Sequence, residues 1–367
     1  MTTTLHTLAE HGQSPWLDYL SRPFVRDGDL ARRADQGISG VTSNPTIFQG
    51  AISDGDAYDE QIRELRDHEE DPKEIFLALA AQDIRDACDV LRPVFDRGEA
   101  TRDGWVSLEV DPTLAHDAPG TVAEAKRIAA MIERPNLFVK IPGTREGLEA
   151  IEETIAAGIP VNVTLLFSLQ RHREAAEAYL AGLRRLRDSG GDLRSVASVA
   201  SFFVSRVDTE VDRRLDEIGG HDDLKGKLAV ANAKLAYQTY QEVFQGAEWD
   251  ELVAAGASPQ RCLWASTSVK NPAYPDLLYV ESLIGPQTVN TMPQETVDAL
   301  IDHGTVTDSL TEDLDGARAT MERLAQAGVD YDDVVAVLER EGVQKFADSF
   351  AALIEGVADK RRQFAAA

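Results

Sequence analysis

Cysteine is scarce: Cys88 and Cys262 are the only two in 367 residues. They lie far apart and form no metal-type or disulfide-framework spacing, so a reducing, cytoplasmic setting is expected. Histidine is nearly as sparse, and no two of the seven stand at the spacing of a local ligand pair. His116 and His172 could meet in space, but each reads as an ordinary surface or loop residue. No metal and no other cofactor is therefore expected. Long apolar runs are missing as well. None approaches the ~18 residues that a membrane span requires. The N-terminal MTTTLHTLAEHGQSPW has neither a basic region nor an apolar segment, so no secretory signal is expected. Positive charge is short too. Lys and Arg number 37 against 63 Asp and Glu, a formal net charge of −26. Such a surface repels nucleic acid and anionic lipid, and its simplest meaning is solubility. An anionic ligand would have to be drawn in by a few basic groups acting locally.

What is present is a regular alternation of strand-like and helix-like segments. The strand candidates are Pro15–Tyr19, Ile38–Thr42, Trp105–Val110, Leu137–Ile141, Val161–Leu166, Val196–Phe203, Arg261–Ser266 and Gln287–Thr291. Helical patterns fill the gaps. The segment Asp71–Gly98 opens with Asp, Pro and Glu and closes at Gly, while Leu169–Gly191 follows a capping Ser168. No linker, tandem repeat or low-complexity stretch divides the chain. Eight strands with helical crossovers predict an α/β fold, a single (β/α)8 TIM-type barrel with additional helices. Residues 1–367 would then form one domain with helical insertions and C-terminal helices. A doubly wound sheet is the alternative, weakened by the lack of a dinucleotide-type glycine fingerprint.

The stretch RPNLFVKIPG (134–143) puts a lysine inside one of the most apolar strands. Side chains alternate across a strand, so Leu137, Val139 and Ile141 share one face and Phe138 and Lys140 the other. Val106, Leu108 and Val110 likewise oppose Trp105, Ser107 and Glu109. Val161, Val163 and Leu165 oppose Asn162, Thr164 and Leu166. In a barrel the aliphatic faces suit the helical shell and the mixed faces point inward. Pro112 and Pro142 mark strand ends, which places Glu109 and Lys140 near the C-terminal mouth. Taken singly, Lys140 could snorkel from a strand end and Glu109 could be a solvated edge residue. Taken together, Lys140, Glu109, Asn162 and Thr164 converge from three consecutive strands at one end.

Burial disfavours the ammonium form of a lysine and frees the amine as a nucleophile. Beside a carboxylic acid in a dry pocket, it suits Schiff-base chemistry on a ketone or aldehyde, the acid donating and recovering protons. The iminium then permits carbon–carbon cleavage or formation without a metal.

Several segments carry a more specific likeness. GVTSNPTIFQ (40–49), SLEVDP (107–112), NLFVKIPGT (136–144), NVTLLFS (162–168), SFFVSRVD (201–208) and WASTSVKNPAYPD (264–276) resemble the transaldolase family in that family's chain order. The likeness runs from about Trp16 to the C-terminal helices and is closest to the longer bacterial branch. It implies a (β/α)8 barrel with its Schiff-base lysine on the fourth strand. It further implies transfer of a dihydroxyacetone unit from sedoheptulose 7-phosphate to glyceraldehyde 3-phosphate, in the non-oxidative pentose phosphate pathway. By the same resemblance, Lys140 binds the ketose C2, Glu109 and Thr164 hold and activate a water, and Asp18 takes the C4 hydroxyl proton. Asn44, Asn162 and Ser201 contact substrate hydroxyls, and Arg206 binds the sugar phosphate.

Asp18 could instead cap the first helix, and Arg206 could pair with Asp208 or Asp212 on a solvated helix face. After the seventh strand many family members carry an arginine close behind a serine. This chain has Ser266, Thr267, Ser268 and then Lys270, a point charge in place of a fork. Ser266 is the preferred serine because it directly ends the strand. The expected partners are small sugar phosphates, with no nucleic acid and no membrane, and the chain is expected as a monomer or homodimer. A related fructose-6-phosphate aldolase activity would release free dihydroxyacetone. The shorter aldolase branch lacks insertions such as the helical stretch between Phe48 and Trp105. A barrel that only binds sugar phosphates would be expected to lose Lys140 or Glu109, and both are present.

Overall fold

In the computed structural model, which describes residues 2–53, 55–97 and 103–365, eight parallel strands close on themselves. They are β1 (Gln13–Leu17), β2 (Gly40–Val41), β3 (Trp105–Glu109), β4 (Leu137–Pro142), β5 (Val161–Leu166), β6 (Ser198–Phe203), β7 (Arg261–Ala265) and β8 (Thr288–Met292). Each pairs with the next in chain order, and β8 returns to β1. The barrel, not the doubly wound sheet, is the architecture. All eight expected strands coincide with observed ones, β5 at both ends and the others with one or both ends shifted. β1 starts two residues early and stops at Leu17, so Asp18 stands just past its end. β2 shrinks to two paired residues.

The helix Pro72–Arg97 fills the expected Asp71–Gly98 segment, whose closing Gly98 lies outside the described residues. In the helix Leu169–Asp188, the Ser168 hydroxyl accepts the Arg171 N–H at 3.0 Å, satisfying one of the donors a helix start leaves unpaired.

Alternation sorts the barrel into tiers. Near the N-terminal end, the Trp105 and Phe138 rings stack with centroids 4.1 Å apart, and Trp16 leans on Phe138 at 6.1 Å. One step higher, the Asn162 amide donates to Ser107 Oγ at 3.1 Å and its carbonyl accepts Ser201 Oγ at 2.7 Å. The top tier holds Glu109 and Lys140, register partners on β3 and β4. One parity reading needs correcting. Leu165 does not continue the aliphatic face of Val161 and Val163. It has φ +59°, and the β5–β6 register slips between Val163 and Leu166. The extra residue turns the strand, so Leu166 takes the outward side with Val163. A Cβ on Gly143 would lie 2.5 Å from Leu166 and 3.1 Å from Val163, whereas Leu165 faces Gly342 of the C-terminal helix.

The tight lower tier makes a prediction. A Cβ on Gly40 would stand 2.4 Å from the Trp16 indole, itself held by Phe138 and by donation to Asp103. Gly40→Ala is expected to destabilise the fold by about 1–3 kcal/mol, the cost of overpacking. Urea denaturation should show a lower midpoint with an unchanged slope.

The C-terminal helix, Tyr331–Ala365, packs on Pro45–Ser53 and Pro72–Arg97 and reaches β5 and Ser205–Ile218. It therefore crosses the barrel at the C-terminal ends of the strands. Among the described residues no helix is long and apolar enough to cross a membrane.

Candidate active site

Lys140 extends from β4 into the barrel with 5% of its surface exposed. Its ammonium nitrogen lies 3.4 Å from Glu109 Oε2 and donates to the Ser43 carbonyl at 3.1 Å. The neighbouring-strand register dictates this meeting, because Glu109 and Lys140 sit side by side with the same inward parity. Burial pushes the Glu109 carboxyl up to about 7, the Lys140 charge pulls it back in part, and Asp18 adds to the rise. Glu109 Oε1 and Thr164 Oγ1 are buried without a hydrogen-bond partner among the described residues, and Glu109 Oε2 has only the Lys140 nitrogen beside it. Buried oxygens left with unused acceptor capacity are suited to a small polar guest.

Above the amine opens a cavity of about 260 Å³. Asp18, Asn44, Lys140, Thr164, Ser201, Arg206, Ser266 and Lys270 all line it. Asp18 does not cap a helix; Ser21 caps the first helix after β1. Its carboxylate accepts Thr42 Oγ1 at 2.6 Å, and Thr42 also bonds Thr291 at 2.7 Å. Burial raises the Asp18 pKa, against the pull of Lys140, Thr42 and Arg206. Arg206 sits in the first turn of Ser205–Ile218 and makes no ion pair among the described residues. Its expected competitors are engaged elsewhere. Asp208 accepts the Ala229 N–H and the Tyr279 hydroxyl, and Asp212 accepts the Gly226 N–H and the Tyr274 hydroxyl. The guanidinium instead lies over Phe203 at 5.0 Å and near Phe346 at 5.9 Å. Burial there lowers its pKa, though Asp18 counters the shift.

Some expected residues stand elsewhere. Asn162, the register partner of Lys140 on β5, is fully buried and outside the cavity lining, its amide nitrogen donating to Ser107 and its carbonyl accepting from Ser201. Glu109 lies behind Lys140 and borders a smaller cavity with Phe48, Phe76 and Phe350. Of the three hydroxyls after β7, Thr267 turns away to Asn290, while Ser266 and Ser268 both reach the cavity. Ser266 has φ +57° and bonds Ser205 Oγ at 2.8 Å; Ser268 accepts from Lys270 at 2.6 Å.

The histidines do not meet. His116 is exposed and pairs with Glu146 at 2.9 Å. His172 corrects the surface expectation: it is 2% exposed, stacked edgewise against Phe202 and 3.6 Å from Cys262 Sγ. Burial pulls its pKa down to about 4. The mixed helix pattern concealed this, because a histidine on a buried stripe reads like one on a wet face. Among the described residues no three His, Cys, Asp or Glu side chains form a group able to hold a metal.

Sequence reasoning missed Thr42, Thr291, Lys345 and Phe346 of the lining. Thr42 shares the inward parity of Gly40 and was accessible by that signal. Lys345 and Phe346 were not, because nothing in a helix's periodicity says which barrel end it will cover.

The profile described as Transaldolase/Fructose-6-phosphate aldolase matches residues 15–357. The chain belongs to the transaldolase/fructose-6-phosphate aldolase family. A transaldolase from Parafrankia sp. is 51% identical over 364 residues, covering 98% of both chains. A transaldolase from Thermobifida fusca is also 51% identical over 364 residues, covering 98% of this chain and 99% of its own. Transaldolase 2 from Streptomyces coelicolor is 49% identical over 370 residues, covering 100% and 99%. The family segments quoted from the sequence supply Asn44, Glu109, Lys140, Thr164, Ser201, Arg206 and Lys270, gathered around one barrel mouth.

Proposed function

We infer that the chain is a transaldolase, a transferase that passes a dihydroxyacetone unit through a lysine Schiff base. One observation carries the mechanism: Lys140 Nζ lies on a cavity floor, shielded from water, 3.4 Å from a carboxyl whose pKa is pushed up to about 7. Such a carboxyl can both give and take a proton at neutral pH.

In the proposed cycle, the neutral Lys140 amine attacks C2 of sedoheptulose 7-phosphate. Glu109, working with Thr164 through a water, protonates the departing C2 oxygen, and water leaves as the iminium forms. Asp18 takes the C4 hydroxyl proton while the C3–C4 bond breaks, its electrons flowing into the iminium. Erythrose 4-phosphate departs and the enamine stays on Lys140. Glyceraldehyde 3-phosphate then forms a new bond to C3, Asp18 returns the proton, and hydrolysis releases fructose 6-phosphate. Asn44 and Ser201 would hold substrate hydroxyls, with Asn162 fixing Ser201. Arg206, Lys270 and Ser266 would hold the phosphate.

Residues 1–367 would act as one unit, a barrel with helical insertions and C-terminal helices. The charge of −26 speaks against binding nucleic acid or anionic membranes, the two free cysteines fit a cytoplasmic setting, and the chain would act as a monomer or homodimer.

The test is borohydride reduction of the enzyme with fructose 6-phosphate, followed by peptide mass analysis. A dihydroxyacetone-derived mass on the peptide holding Lys140 is expected. Adduct on another peptide, or none, defeats the mechanism. Free dihydroxyacetone appearing without an acceptor would mark the aldolase activity instead.

A further inference from the structure

The cavity lining holds four cations, Lys140, Arg206, Lys270 and Lys345, against one carboxylate, Asp18. In a chain with 26 more acidic than basic side chains, that local inversion calls for a cause. Lys140 is accounted for by Glu109 and the Ser43 carbonyl. Arg206, Lys270 and Lys345 remain, from three separate elements, and none makes an ion pair among the described residues.

Lys345 has helical neighbours that would ordinarily take it. Glu341 lies four residues before it and Asp348 three residues after, the spacings at which helix ion pairs form. It pairs with neither, and Gln344 donates to Asp348 at 2.7 Å. Elsewhere on the same helix, Lys360 pairs with Asp59 and Arg362 with Asp359. The next residue, Phe346, fixes the placement, its ring 5.6 Å from Lys140 Nζ and 5.9 Å from the Arg206 guanidinium carbon. The helix is thus anchored beside Arg206, with Lys345 on the cavity wall.

We propose that Lys345 is a specificity-determining residue that binds the phosphate of the incoming sugar together with Arg206 and Lys270. This rests on the sugar-phosphate reading above. A phosphate offers several oxygens and nearly two negative charges. Arg206 supplies a planar fork, whereas the β7 loop supplies only the point charge of Lys270. A second lysine, reaching in from the covering helix, adds charge from the remaining side. The consequence is selectivity. Phosphorylated aldehydes gain from Lys345, and unphosphorylated ones do not.

The experiment uses the full chain with Lys345→Met, which keeps the length and removes the charge, and Lys345→Arg. Fructose 6-phosphate is the donor, with erythrose 4-phosphate or unphosphorylated D-glyceraldehyde as acceptor, and inorganic phosphate serves as competitive inhibitor. For Lys345→Met, KM for erythrose 4-phosphate and the phosphate inhibition constant should each rise about tenfold, with kcat within about twofold. The kcat/KM for D-glyceraldehyde should change by less than about twofold, and Lys345→Arg should recover most of the loss. Unchanged KM and inhibition constant overturn the proposal. So do equal losses on both acceptors, which would mean a structural disturbance. If the wild type binds inorganic phosphate but transfers nothing, the enzymatic reading fails, and weakened phosphate binding in Lys345→Met alone decides for or against Lys345.

Discussion

Lys140→Met should remove the borohydride-trapped adduct altogether and lower kcat/KM by roughly 10⁴–10⁶-fold, the scale on which loss of a covalent nucleophile is felt. Among the described residues no other amine is placed to substitute: Lys270 and Lys345 are exposed residues of the rim, whereas Lys140 lies on the floor beside Glu109. Methionine matches the lysine stem in length and suits the surrounding apolar strand positions. Removing the ammonium also removes the charge that pulls the Glu109 pKa down, so Glu109 becomes neutral over a wider pH range. The barrel should therefore tolerate the change, and circular dichroism should show native secondary structure. Inhibition by inorganic phosphate should persist, because Arg206, Lys270 and Lys345, the cations proposed to hold it, are left in place. A variant that still formed the adduct would place the chemistry on a different amine.

Glu109→Gln should slow Schiff-base formation and turnover by about 10²–10⁴-fold, the usual contribution of a positioned acid–base group. Phosphate inhibition should hardly move. Loss of phosphate affinity with unimpaired adduct formation would remove Glu109 from proton transfer. The variant should also lose the feature in the wild-type pH–rate profile that belongs to a carboxyl near 7. A stability consequence follows with a definite sign. The carboxyl binds its proton more tightly folded, near 7, than at its ordinary 4.5, so its stabilising contribution is complete below about 4.5 and is lost as pH rises through 7. Glutamine has no such loss. Relative to the wild type, Glu109→Gln should thus gain stability steadily between those values, which denaturation across a pH series would detect.

Legibility differed between the two sides of the site. The floor was readable because strands report it twice, through period-two alternation and through aliphatic runs that bound each strand. Lys140 broke such a run, and Glu109 and Thr164 stood at the same parity and the same end of neighbouring strands. Arg206 and Lys270 came from segments just beyond strand ends, where a barrel gathers its mouth. The alternation did fail at Leu165, where a left-handed residue and a register slip reverse the face. A single bulged residue leaves no trace in hydrophobic pattern. The burial of His172 was hidden for a similar reason, since a helix stripe does not announce its partner.

From its own pattern of residues, this chain determined eight strands, the inward and outward faces of three of them up to the slip at Leu165, and a lysine and glutamate meeting at one barrel end. Those features are local or arise between neighbouring strands, and alternation is enough to specify them. Tertiary structure alone decided that Asn162 bonds Ser107 and Ser201 outside the cavity lining, that Ser268 reaches the cavity beside Ser266, and that Lys345 and Phe346 cover it. The docking of a 35-residue helix across the mouth depends on contacts with Pro45–Ser53 and Pro72–Arg97, hundreds of residues away in the chain. Periodicity specifies that such a helix has a face to bury, and only the assembled barrel specifies against what.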